Sequence, residues 1–118
     1  MEETVAERLA VELAQVVELI GDLKLELVAI AESTAAVPDD EHDAEGSTVA
    51  YERARVQALL AHSQRRADAL EAASRRAAAG GDSGALARCQ RCQGPIGAER
   101  LLALPATEIC VTCAAAGR

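Results

Sequence analysis

All four cysteines of this 118-residue chain lie near its C-terminal end, as two Cys-x-x-Cys pairs, Cys89/Cys92 and Cys110/Cys113, with seventeen residues between them. Thiolates are soft ligands, and each pair bends into a tight knuckle that aims two sulfurs at one point. Two knuckles complete a tetrahedron at about 2.3 Å per Zn–S bond, and the interval matches that of a four-thiolate zinc site. Gly94 and Pro95, just after the first pair, suit a sharp turn out of that knuckle. Two disulfides, a redox dithiol or an iron–sulfur cluster are the competing uses of four cysteines. The chain opens Met1-Glu2-Glu3, acidic and without the apolar run of a secretory signal, so a reducing, cytoplasmic setting is expected. There, paired Cys-x-x-Cys motifs bind metal or do redox chemistry. The expectation is zinc on Cys89, Cys92, Cys110 and Cys113. Four sulfurs leave no open coordination position, so the ion is structural and not catalytic. Release of zinc on thiolate oxidation is compatible with that assignment.

What must position these cysteines is mostly helix. The chain has no Phe and no Trp, and Tyr51 is its one aromatic residue. A globular core of this length normally buries several aromatic side chains. Here the apolar half of the composition is mainly Ala, Leu and Val, which suits helices packed side by side. No apolar stretch approaches the roughly 18 residues of a membrane span.

Thr4-x-x-Glu7 reads as a capping box ahead of a periodic apolar run. Ala6, Leu9, Leu13, Val16, Ile20, Leu23, Leu27, Ile30 and Thr34 then recur at intervals of three and four, a heptad seam of the coiled-coil kind. Pro38 ends the helix, because the residue before a proline avoids helical geometry. A second helix is expected from Asp43 or Ser47 to about Ala79. Its weaker seam is Val49, Val56, Leu60, Ser63, Ala67, Leu70, Ser74 and Ala77. Glycines at 80, 81 and 84 stop it.

Charge is unevenly spread along the formal net of −7. Residues 1–35 carry eight acids and two bases, residues 36–47 five acids and no base, and residues 48–79 six arginines and three acids. An acidic first helix against a basic second one favours a monomeric antiparallel hairpin. The rival is a dimer through helix one, where Val17, Leu19 and Val28 leave apolar surface beside the seam. The expected fold is mainly α: an antiparallel coiled-coil hairpin over 1–79 with an acidic tip at 36–47, a Gly-rich hinge at 80–88, and a small four-cysteine zinc ribbon with short β segments at 89–118. Ile96, Leu101, Leu104 and Ile109 are the expected core of that ribbon. An acidic chain is a poor general DNA binder, since nonspecific affinity rests on Lys and Arg neutralising phosphates; a basic protein surface is the expected partner. No nucleophile–base arrangement, phosphate loop or open metal site suggests an enzyme.

The tip, Pro38-Asp39-Asp40-Glu41-His42-Asp43-Ala44-Glu45-Gly46, is either a solvated loop or a probe that carries carboxylates toward a bound Mg²⁺ or basic residues of another protein. His42 within it reads as a solvated imidazole, and His62 as a residue flanking the second helix's seam, not a ligand.

Cys89, Cys92, Ile96, Gly97, Arg100, Leu101, Ala103, Pro105, Cys110 and Cys113, together with the order hairpin, acidic turn, finger, resemble the DksA/TraR family of bacterial transcription regulators. The resemblance implies binding to RNA polymerase, core and holoenzyme. It also implies insertion of the hairpin tip through the secondary channel and altered initiation without sequence-specific DNA recognition. The family's tip motif is Asp-x-x-Asp-x-Ala. Asp40 and Asp43 match its aspartates, and Glu45 stands where the alanine would be. These three are the implied tip residues. A protein adaptor with a dimeric coiled coil is the alternative function.

Overall fold

The capping box forms as expected: the Thr4 amide donates to the Glu7 carboxylate at 2.9 Å and the Glu7 amide to the Thr4 hydroxyl at 3.1 Å. Two otherwise orphaned backbone donors are satisfied at once, and α1 runs from there, Val5–Ala36. The computed structural model describes the backbone of residues 3–36, 43–80 and 88–117, and side chains at 3–34, 48–78 and 88–117. α1 stops two residues before Pro38, and α2 spans Asp43–Gly80, taking the earlier of the two expected starts. Two short helices follow, α3 at Ala98–Ala103 and α4 at Val111–Ala115. At 1.5 Å per residue α1 and α2 are about 48 and 57 Å long. None of the described helices is long and apolar enough to cross a membrane.

The chain divides into two compact units, Val16–Arg66 and Met1–Gln15 with Ala67–Arg118. Within Val16–Arg66, the end of α1 lies against the start of α2 as a helical hairpin. Leu23 and Ile30 bury against Val56, with Leu27, Val49 and Leu60 packed around them. Each fully buried aliphatic side chain contributes roughly 1.5–3 kcal/mol. Val16 and Ser63 are also buried. Near the turn Arg53 reaches the Thr34 hydroxyl at 3.5 Å, and that hydroxyl donates back to the Ile30 carbonyl at 2.8 Å. The apolar seam on α1 is where the three–four spacing puts it: Leu9, Val16, Leu23 and Ile30 are buried, and Leu13, Ile20 and Leu27 half-buried. Only its ends, Ala6 and Thr34, are exposed.

In the other unit Leu9, Ala67, Leu70 and Ala73 are buried from the two long helices, and Cys89, Ile96, Leu101 and Cys110 from the finger. Arg76 on α2 pairs with Glu108 of the finger at 3.2 Å. Arg8 pairs with Glu12 one turn on at 3.0 Å. The β segments expected of the ribbon reduce, among the described residues, to one isolated bridge, Arg88 to Pro95. The interval between the knuckles is taken up by α3 and turns.

Candidate metal centre

The first knuckle is closed by backbone bonds. The Cys89 amide donates to the Gly94 carbonyl at 2.7 Å and the Gln93 amide to the Cys89 carbonyl at 2.9 Å. The tight turn places Gln93 at φ 64°, in the left-handed region that costs a non-glycine residue roughly 1–2 kcal/mol. The turn therefore takes its unusual torsion at Gln93, and Gly94 serves a different need: a Cβ there would stand 3.3 Å from the Cys92 sulfur. Gly97, at φ 99°, leads into α3.

The second knuckle is the start of α4. Cys110 is its N-cap, and the Cys113 amide donates to the Cys110 sulfur at 3.4 Å. The two knuckles are tied by the Gln90 amide, which donates to the Glu108 carbonyl at 2.8 Å. From α3, the Arg100 guanidinium Nε donates to the Ile109 carbonyl at 2.9 Å, and the Thr107 hydroxyl donates to the same oxygen at 3.2 Å. Arg100 thus acts as a latch that sets the approach of the second pair. The small core beneath is Ile96 and Leu101 with buried Pro105. Leu104, expected in that core, is 50% exposed. It is the C-cap of α3 at φ −130°, so the backbone swings it outward and Pro105 takes the inner place.

These supports bring all four sulfurs within 4.8 Å of one another. Cys89 and Cys113 sulfurs lie 3.6 Å apart, and those of Cys92 and Cys110 3.7 Å. A tetrahedron with Zn–S bonds of about 2.3 Å has edges of about 3.8 Å, so the donor set fits a four-coordinate zinc ion. All four are free thiols and not disulfides. Backbone amides already face three of the sulfurs: Arg91 to Cys89, Gly94 to Cys92 and Cys113 to Cys110, each at 3.4 Å.

The electrostatics follow from those contacts. Burial pushes the Cys89 thiol up, but the amides of Cys92, Cys110 and Arg91 outweigh it and lower the group from 9.0 to about 6. Cys110 is lowered, chiefly by the Cys113 amide and against burial. Cys113 is raised to about 12, first by its hydrogen bond to Cys89 and then by that to Cys110. Without metal, then, Cys113 keeps its proton at neutral pH. A divalent cation replaces that proton as the counter-charge.

Of the other residues picked from the sequence, Asp40 and His42 lie outside the described residues. Asp43 and Glu45 fall in the first turn of α2, with side chains outside the described set, and His62 is exposed. Sequence reasoning missed Gln93, the Arg76–Glu108 pair and the Arg100 latch as supports of the site. Only Arg100 had a signal, its place among the residues that carry the family resemblance.

Residues 83–116 match the family model of the prokaryotic dksA/traR C4-type zinc finger. A sequence comparison with curated proteins finds no match. Among solved structures, transcription factor DksA2 from Pseudomonas aeruginosa is similar in fold, with TM-score 0.76 and 23% identity over 96% of this chain and 79% of that one. With the four clustered thiols, these findings make zinc the structural cofactor, held in a segment, residues 83–116, that is similar to the dksA/traR C4-type zinc finger.

Proposed function

We propose that the protein is a non-enzymatic transcription regulator that binds RNA polymerase, core and holoenzyme, as a cytoplasmic monomer. The observation that carries this reading is the joining, in one chain, of a DksA/TraR-type finger to a long helical hairpin, matched along 96% of its length by a transcription factor's fold. In this reading residues 1–79 are the hairpin, 80–88 its joint with the finger, and 89–118 the zinc module. The four cysteines hold the metal, which sets the base of the hairpin. The tip at 36–47 enters the polymerase secondary channel, where Asp40, Asp43 and Glu45 act by charge near the catalytic Mg²⁺. Initiation changes without any reading of DNA sequence, in keeping with the net charge of −7.

Localised radical cleavage tests it. RNA polymerase carrying Fe²⁺ in place of its active-site Mg²⁺ is mixed with end-labelled protein and triggered with peroxide. Cuts confined to residues near 38–46 are expected, and Asp40→Asn with Asp43→Asn should keep binding while losing the transcriptional effect. Protein that co-purifies with polymerase but stays uncut would overturn the channel route, and regulation unchanged in the double variant would overturn the tip assignment.

One observation favours a second reading, a dimeric adaptor: Val17, Leu25 and Val28 on α1 are each more than half exposed. A dimer in sedimentation at micromolar concentration would move that reading to first place.

A further inference from the structure

Beside the turn end of the Val16–Arg66 unit, the two helices leave an open groove of about 300 Å³ lined by Glu26, Ala29, Ile30, Ser33, Val49 and Glu52. Its floor is apolar: Ile30 is buried, Val49 half-buried and Ala29 exposed. A carboxylate stands on each helix, Glu26 from α1 and Glu52 from α2. Both are exposed, and no ion pair or side-chain hydrogen bond engages either among the described residues. Residues four apart on a helix are surface neighbours. So Leu25, 69% exposed, continues the Ala29 side of the groove, and Asp22 continues the Glu26 side.

A groove of this makeup selects its occupant by chemistry. Among the described residues only the four cysteines bring three or more metal-ligating groups together, so the acids here are not arranged as an ion site. The volume lies at the bottom of the range for small-molecule sites, and the groove is open, which suits one long side chain laid along it. The same face of a second copy would oppose Glu18, Asp22, Glu26 and Glu32 with their own likeness, a repulsive arrangement. The aliphatic stem of an arginine or lysine covers apolar surface while its charged head stays at the rim. That head is what two unpaired carboxylates over an apolar floor complement.

We propose that this groove is a docking site for a protein segment that presents an arginine or lysine beside an apolar residue. The apolar residue packs on Leu25, the basic stem lies over Ala29, Ile30 and Val49, and the charged head sits between Glu26 and Glu52. None of the groove's lining residues belongs to the tip segment 36–47 or to the finger. The site does not require that the partner be RNA polymerase, so either reading can fail while the other stands.

The test is a chemical-shift titration of the full, zinc-loaded chain with the dipeptide acetyl-Leu-Arg-amide, and with acetyl-Leu-citrulline-amide as the uncharged match. With the arginine peptide, shifts should cluster at residues 25–33 and 49–52, with a Kd of about 1 mM, as expected of one basic contact and a small apolar one. The citrulline peptide should bind about tenfold more weakly, and so should the arginine peptide to Glu26→Gln with Glu52→Gln. Glu18→Gln, an exposed acid outside the groove, should leave binding unchanged. Shifts spread evenly along the acidic face of α1, equal binding of the two peptides, or full binding to the double variant would overturn the proposal. So would self-association of the chain that is lost in the double variant, since the occupant would then be a second copy.

Discussion

Replacing Gly94 by alanine separates a ligand sulfur held by metal from one that merely lies nearby. The added Cβ would stand 3.3 Å from the Cys92 sulfur, a few tenths of an ångström inside comfortable contact. Nothing in the backbone opposes the change, because the left-handed residue of this turn is Gln93. The amide that donates to Cys92 at 3.4 Å is also kept. In the metal-free chain Cys92 is exposed, and its side chain can swing away from the new methyl at little cost. With zinc bound, the Zn–S length of about 2.3 Å and the tetrahedral angle remove that freedom. The strain therefore falls on the metal-bound state alone. Changes just outside a ligand shell commonly lower affinity about 10–100-fold, and an overlap this small belongs at the lower end, near tenfold or about 1.4 kcal/mol. Competition against a chromophoric zinc chelator reads this directly, with Cys92→Ser as the variant that removes the ligand itself. A Gly94→Ala Kd within twofold of the parent would refute the reasoning, because Cys92 would then be free to yield and would not be a fixed ligand.

Other outcomes follow from burial, capping and charge. Leu70 is fully buried, so Leu70→Ala should destabilise the chain by about 2–5 kcal/mol in urea unfolding, whereas Leu25→Ala, at an exposed position, should change it by no more than about 0.5 kcal/mol. Thr4→Ala removes one arm of the capping box and should lower stability by about 1 kcal/mol, with Thr4→Ser restoring most of it. The folded Cys89 group sits near 6, below its ordinary 9.0. Its contribution to the metal-free fold is thus present in full above the ordinary value and is lost as pH falls through the folded one. At neutral pH it is already a thiolate, so fewer than four protons should leave per zinc bound; a count of four, from calorimetry in buffers of different ionisation enthalpy, would contradict that. Gly21 lies mid-helix, and a methyl added there would meet nothing within 4 Å, so Gly21→Ala should stabilise by about 0.5–1 kcal/mol in the same unfolding assay.

The parts of this molecule legible in its sequence are those where one residue type has one physical use. On α1, leucine, isoleucine and valine alternate with charge, and their three–four spacing gives the buried stripe Leu9, Val16, Leu23 and Ile30 without ambiguity. On α2 the same logic blurs, because alanine serves inside and outside alike. Ala73 is fully buried, yet it stands among Ala72, Ala77, Ala78 and Ala79, and the step after Leu70 can be read to Ala73 or to Ser74. The structure uses both, burying the first and half-burying the second. The four cysteines are legible for the opposite reason, since little else in chemistry needs two Cys-x-x-Cys pairs at this interval. What surrounds them is not, because it depends on who arrives from elsewhere in the fold. Glu108 receives Arg76 from a helix that ends 28 residues earlier, and the Ile109 carbonyl receives Arg100 from α3. Leu104 is turned out by the backbone angle at which α3 stops. Spacing names the four thiols that cluster, then, while the contacts that aim them are tertiary. Substitutions at Gly94, Arg100 or Arg76 are accordingly the ones that separate a finger that merely contains four thiols from one that grips a metal.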